Sequence, residues 1–194
     1  MPKPWYTIKA AVAGSDTAEV SILDVISSWY GVNARTYLAE FRALKEERVR
    51  VYISSPGGDV SEALAIFNGM RATGKHIEVH VLGVAASAAS YIAMAGDKIV
   101  MPANTMMFLH NPISGVYGNA EDMRESADRL DKFGDVLFST YAKRWKGEEQ
   151  ALRDVLAAES FLTAAECLEY GLCDEVIDEI AVEARFDVEG LPEK

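Results

Sequence analysis

Cysteine is nearly absent from this chain: Cys167 and Cys173 are the only two in 194 residues. Their spacing matches no metal motif, so they are read as reduced packing residues of a cytoplasmic protein. Histidine is almost as scarce, at three copies, and His76, His80 and His110 can be weighed one by one. Basic charge is in deficit: 19 Lys and Arg face 30 Asp and Glu, for a net charge of −11. That balance excludes the basic footprint of a nucleic-acid binder. No apolar run approaches a membrane span. The N-terminus, Met1-Pro2-Lys3-Pro4-Trp5-Tyr6, lacks the basic and apolar regions of a secretion signal. No glycine turn is followed by Lys-Ser or Lys-Thr, which argues against a phosphate loop. Internal repeats are missing too, and neither a cofactor nor a metal is expected.

What is present is ordinary globular composition, 49% hydrophobic and 25% charged. It predicts one domain over residues 1–194, with 1–18 and the Glu-rich tail 181–194 loosely held. Short strands are predicted within 5–12, 19–23 and 49–53. Asn33 is a plausible N-cap for a helix running to about Glu47. Ser54-Ser55-Pro56-Gly57-Gly58-Asp59 follows the third strand. Asp59 and Glu62 have capping-box spacing for the next helix. A strand end, a glycine turn and a helix start together expose backbone N–H groups where α/β folds place ligands.

Residues 77–82 alternate as a further strand and lead into Gly83-Val84-Ala85-Ala86-Ser87-Ala88-Ala89-Ser90. This octet reads as strand, tight turn and helix, with Ser87 at the turn. Such a serine projects its hydroxyl beside the first free N–H groups of the helix. Serine among alanines is also what close helix packing looks like, and Ser90, one turn on, is read as packing. Two short strands, 98–101 and 105–109, precede His110, which stands at a strand end beside Asn111-Pro112. The longest helical pattern runs from Asn119 to about Arg144, with Met123, Ala127, Leu130, Phe133, Leu137 and Tyr141 on one stripe. A helix of that length either projects onto another subunit or lies along the domain. A shorter helix over 148–158, a capping box at Thr163–Glu166, a closing Gly171 and a last strand near 173–177 complete the reading.

Four joints now resemble a known family. Ser55-Pro56-Gly57-Gly58, Gly83-x-Ala85-Ala86-Ser87, His110-x-Pro112 and Phe161-Leu162-Thr163-Ala164 with Glu169-Tyr170-Gly171-Leu172 look like the proteolytic subunit of Clp protease. The likeness covers about residues 20–178. Trp5-Tyr6-x-Ile8 and Asp59-Val60 look more like its phage and prophage branch, the head maturation proteases. The resemblance implies an α/β, crotonase-like fold of repeated ββα units with a long projecting handle helix. It implies a serine endopeptidase, working inside a ring homo-oligomer, with a double-stacked heptamer as one arrangement. By position Ser87 matches the nucleophile and His110 the general base. Gly58 and Ala88 match the oxyanion-hole amides, and Glu159 stands where the family usually has Asp. Polypeptides, phage capsid or scaffold proteins among them, are the implied substrates. Neither nucleic acid nor membrane is an expected partner, and the host cytoplasm or a phage prohead is the expected location.

Three alternatives stand beside that expectation. A housekeeping peptidase would be fed by an AAA+ unfoldase. A crotonase-type acyl-CoA enzyme would share the Gly58 and Ala88 donors without needing Ser87 and His110. An inactive ring protein would keep the fold alone.

Overall fold

The computed structural model describes residues 4–12, 14–28 and 33–178. The expected acidic tail lies outside the described residues. In chain order the elements are β1 (Tyr6–Lys9), β2 (Thr17–Ile22), α1 (Ala34–Ala43), β3 (Arg48–Ser55), α2 (Val60–Arg71) and β4 (His76–Ala86). They continue with α3 (Ala88–Ala93), β5 (Lys98–Pro102), β6 (Met106–Leu109), α4 (Ala120–Ala142), α5 (Glu149–Ala157), β7 (Ser160–Thr163), α6 (Ala164–Glu169) and β8 (Glu175–Ile177). The class is the mixed α/β one expected.

Alternation builds the sheet. Val49, Val51 and Ile53 of β3 and Ile77, Val79 and Val81 of β4 point to one face and are fully or almost fully buried. Strands β2, β3, β4, β5 and β8 run parallel, and β1 joins antiparallel at the edge. Helix α2 covers the apolar face with Ala63, Ile66 and Met70, and α1 adds Tyr37, Leu38 and Phe41. The opposite face is half-buried and polar, with Arg50 of β3 paired to Glu78 of β4 at 3.4 Å.

The central strand is β4, and it forks. Its first half pairs with β5 over Glu78–His80, and its last residues, Val84–Ala86, pair with β6. The β3–β4 register slips between Ile53 and Ser55, so β4 carries extra residues around Gly83. A Cβ on Gly83 would approach Ser54 Oγ to 2.9 Å, so the glycine lets the two strands meet at this bulge. Sequence reading ended the strand at Leu82 with the turn at Ser87; the bulge at Gly83 lets β4 continue to Ala86, and the turn falls at Ser87 as expected.

Other boundaries differ for local reasons. Helix α1 ends at Ala43, four residues before the expected Glu47, because Lys75 Nζ donates to the carbonyls of Leu44 and Glu46 and pulls the chain out of helix. Residues 6–9, within the strand expected over 5–12 and inside the segment expected to be loosely held, form β1. Trp5 and Tyr6 are 5% and 4% exposed and pack with Tyr37, ring centroids 5.0–5.6 Å away. Strand β7 was not anticipated and pairs antiparallel with β6.

Helix caps follow the sequence closely. Asn33, Asp59, Asn119 and Thr163 each accept backbone N–H bonds at a helix start. Asn119 and Thr163 complete capping boxes with Asp122 and Glu166, whereas the Glu62 carboxylate reaches the Ala34 amide instead of Asp59. In α4, Ser126 is the one buried residue between 120 and 136, while Leu137, Phe138, Thr140 and Tyr141 dock into the body. The long helix therefore projects and is anchored by its last turns. Cys167 and Cys173 are free and buried, as expected of packing residues.

Candidate active site

Three parallel strands end side by side: β3 at Ser55, β4 at Ala86 and β6 at Leu109. The residues just beyond them are Pro56-Gly57-Gly58, Ser87 and His110. The fold thus collects three distant segments at the carboxyl edge of one sheet, where α/β folds bind ligands.

Ser87 takes φ 53 and ψ −123 at the junction of β4 and α3. A side-chain-bearing residue there is strained by about 1–3 kcal/mol and persists only when its surroundings over-determine it. Here they do. Its amide donates to Phe108 O at 2.8 Å. Its carbonyl accepts from Ser90 N at 3.0 Å and from Ser90 Oγ at 2.7 Å. Gly57, at φ 90, closes the elbow from the β3 side: a Cβ there would lie 2.5 Å from Ala86 O and 2.9 Å from Ser87 Cβ.

His110 extends β6 by one residue, and its ring stacks on Phe108 with centroids 5.2 Å apart. Its Nε2 lies 2.7 Å from Ser87 Oγ. That is the distance over which a hydroxyl hands its proton to an imidazole.

The amides of Gly58 and Ala88 make no hydrogen bond among the described residues. Ala88 is the first residue of α3, so its N–H has no helical acceptor. Gly58 has φ 150, and a Cβ there would collide with Ile26 O at 1.9 Å. Ile26 and Gly58 form a parallel bridge in which Ile26 N donates to Gly57 O and Asp59 N to Ile26 O. The intervening Gly58 amide is left over. Gly58, Ser87, Ala88 and His110 line one pocket of about 60 Å³, floored by Val60, Ala63 and Leu137. It adjoins a groove of about 390 Å³ between residues Gly58–Ser61 and Ile113–Val116.

Glu159 lies at the end of α5, in left-handed conformation at φ 52. The register pairs Leu109 with Ser160, so one further step sets Glu159 across from His110. Its side chain is exposed, and no hydrogen bond or ion pair joins it to His110 among the described residues. The structure brings Ser87, His110, Gly58 and Ala88 together and does not join Glu159 to them. The other histidines lie on the sheet, His80 against Glu78 and His76 with Nδ1 3.6 Å from Asp97. Among the described residues no group of His, Cys, Asp and Glu could hold a metal ion.

The Clp protease family model matches residues 18–180. The chain belongs to the Clp protease family. One relative in this family is the ATP-dependent Clp protease proteolytic subunit of Deinococcus radiodurans. It is 35% identical over 138 residues, 69% of this chain and 67% of the relative. Another is the ATP-dependent Clp protease proteolytic subunit-related protein 2, chloroplastic, of Arabidopsis thaliana. It is 31% identical over 134 residues, which cover 67% of this chain and 47% of that relative. No helix among the described residues is long and apolar enough to cross a membrane.

Tyr141 was assigned no role from the sequence. It is buried, its hydroxyl lies 2.8 Å from Ser90 Oγ, and burial pushes its phenol well above the ordinary range. Its place on the apolar stripe of the long helix marks it as core, and nothing in the spacing signals the polar contact.

Proposed function

We propose that this chain is a serine peptidase that hydrolyses peptide bonds, with Ser87 as nucleophile and His110 as general base. The observation that carries this reading is the 2.7 Å contact of His110 Nε2 with Ser87 Oγ at a strained strand–helix elbow. His110 takes the hydroxyl proton as Ser87 Oγ attacks the peptide carbonyl. The Gly58 and Ala88 amides donate to the resulting oxyanion, each of value about 3–4 kcal/mol by comparison with a measured oxyanion donor. The protonated imidazole then gives its proton to the leaving amine, and water repeats the sequence on the acyl-enzyme.

Glu159 is the third member in this proposal. Its register opposite His110 supports the role. A carboxylate there holds the imidazole tautomer and stabilises the imidazolium.

The exposed first turns of α4 and the apolar residues Ile113 and Tyr117, 75% and 103% exposed, favour work in a ring homo-oligomer. Both relatives bear the name of an ATP-dependent protease, which favours degradation of polypeptides delivered by an AAA+ unfoldase. The second reading, maturation of phage capsid or scaffold proteins, rests on Trp5-Tyr6-x-Ile8 and Asp59-Val60.

The peptidase reading is tested on fluorogenic peptides with the assembled oligomer, its mass read by light scattering. Ser87→Ala is expected to lose hydrolysis and to keep the parent mass. Hydrolysis retained by Ser87→Ala rules Ser87 out as the nucleophile.

A further inference from the structure

The long helix reaches the nucleophile through a hydroxyl that the proposed chemistry leaves unused. Tyr141, in the last turn of α4, is 3% exposed, and Ser90, in α3, is completely buried. Their hydroxyl oxygens are 2.8 Å apart. Ser90 Oγ is also 2.7 Å from Ser87 O and 3.3 Å from Phe108 O. A serine hydroxyl has one proton. Two carbonyls compete for it, and neither can donate in return. The Ser90 proton therefore goes to a carbonyl, with Ser87 O the nearer. Its oxygen is then an acceptor, and the Tyr141 proton is the donor. The polarity of the chain is fixed: Tyr141 O–H to Ser90 Oγ, Ser90 O–H to Ser87 C=O.

We infer that Tyr141 is a positioning residue that acts through Ser90 on the backbone of Ser87. Ser87 needs such support because its φ of 53 is not a resting conformation for a serine. Its amide is tied to Phe108 O, two residues before His110 on the same strand. Its carbonyl is tied to Ser90. The Phe108 carbonyl thereby references Ser87 to the strand that carries the imidazole, and the Tyr141–Ser90 pair holds the other side of the elbow. Without the phenol proton, the Ser90 oxygen loses its one donor in a buried site. Its hydroxyl then shares itself between the two carbonyls, and the elbow relaxes. Burial makes the missing partner costly, since water cannot replace it. The neighbouring Tyr91 hydroxyl, 3.1 Å from Thr140 Oγ1, ties the same two helices without bonding Ser90, while the Tyr91 amide that reaches Ser87 O at 3.3 Å is kept by a phenylalanine. It serves as the internal control.

This inference rests on the peptidase reading, and the test separates the two. Tyr141→Phe, Ser90→Ala, their double variant and Tyr91→Phe are compared in the full chain. The readouts are kcat and KM on a fluorogenic peptide, the rate of Ser87 labelling by a fluorophosphonate, and thermal melting. Tyr141→Phe keeps the ring and its packing. It is expected to lower kcat and the labelling rate together by about tenfold, a fraction of what an ångström of misplacement costs. KM stays near the parent's, the melting temperature falls by a few degrees for the lost buried hydrogen bond, and Tyr91→Phe stays at the parent rate. The double variant is no slower than Ser90→Ala, because the two hydroxyls act in series. If either single variant melts below the assay temperature, the other carries the same expectation.

Parent rates in both Tyr141→Phe and Ser90→Ala overturn the inference. So does a loss that appears in KM alone, or an equal loss in Tyr91→Phe. A parent chain that never labels at Ser87 overturns the peptidase reading and this inference with it. A parent that labels, with Tyr141→Phe unchanged, overturns the positioning role alone.

Discussion

Gly57→Ala should cripple the site while changing only one methyl group. The residue sits at φ 90, where an alanine pays about 1–2 kcal/mol for the left-handed backbone. Its Cβ would also stand 2.5 Å from Ala86 O, 2.8 Å from Ala88 N and 2.9 Å from Ser87 Cβ. Two of these are backbone atoms that cannot swing aside. Opening the shortest contact to the 3.4 Å of ordinary packing needs a shift of about 0.9 Å, and what shifts is the nucleophile elbow. Misplacing reacting atoms by about 1 Å costs roughly 10²-fold in rate, or about 2.7 kcal/mol of transition-state stabilisation. The control is Gly74→Ala. Gly74 is also left-handed, at φ 71, but a Cβ there meets nothing within 4 Å. It should lose the conformational term alone. Urea unfolding measures stability in both variants, and kcat/KM on a fluorogenic peptide measures the elbow. Gly57→Ala is expected to be about 10²-fold slower, with Gly74→Ala at the parent rate. Equal kcat/KM in the two variants would refute the claim that Gly57 shapes the elbow.

Two further outcomes follow. Glu159→Gln should lose most of its kcat, whereas Asp154→Asn, whose carboxylate merely accepts from Gln150 Nε2 at 2.8 Å, should not; kinetics showing the reverse would move the third carboxylate to 154. Burial pushes the Cys167 thiol up to about 12 and Cys173 up to about 11, so native thiols stay protonated at pH 9.5 while unfolded ones ionise near 8.5. Native protein binds more protons than unfolded over that window, and stability falls as pH rises from about 8.5 towards 12. Iodoacetamide at pH 9.5 should spare the native thiols and modify the urea-unfolded ones; equal rates contradict the burial.

Local signals were the legible part of this chain. Asn33, Asp59 and Thr163 were readable as caps because capping depends on a few adjacent residues, and Asn119 marked where the long helix begins. The alternation of β3 and β4 was readable for the same reason. Strand β7 was hidden: it is four residues long, and Phe161 within it is 57% exposed, so it shows no buried alternation. It exists because β6 offers it an edge, a tertiary fact. Gly83 looked like the end of a strand, because a bulge and a strand end ask for the same residue. Trp5 and Tyr6 looked like part of a loose end, since the aromatic Tyr37 that buries them is some thirty positions away.

The site divides in the same way. Ser87 at an elbow and Gly57-Gly58 at a strand end were legible from local chemistry. That His110 meets Ser87 rested on family resemblance, since no spacing rule brings the ends of β4 and β6 together. The structure supplies the reason in the forked pairing of β4. The Tyr141–Ser90 contact was beyond reach, because it joins residues 51 apart through one pair of hydroxyls.

The central claim is that His110 makes Ser87 a nucleophile. Intact-mass spectrometry of the assembled chain after fluorophosphonate treatment, with peptide mapping, tests it most directly. The account predicts one adduct per chain, on Ser87, formed far more slowly in His110→Ala. No adduct, an adduct on another serine, or an unchanged rate without the imidazole would contradict it.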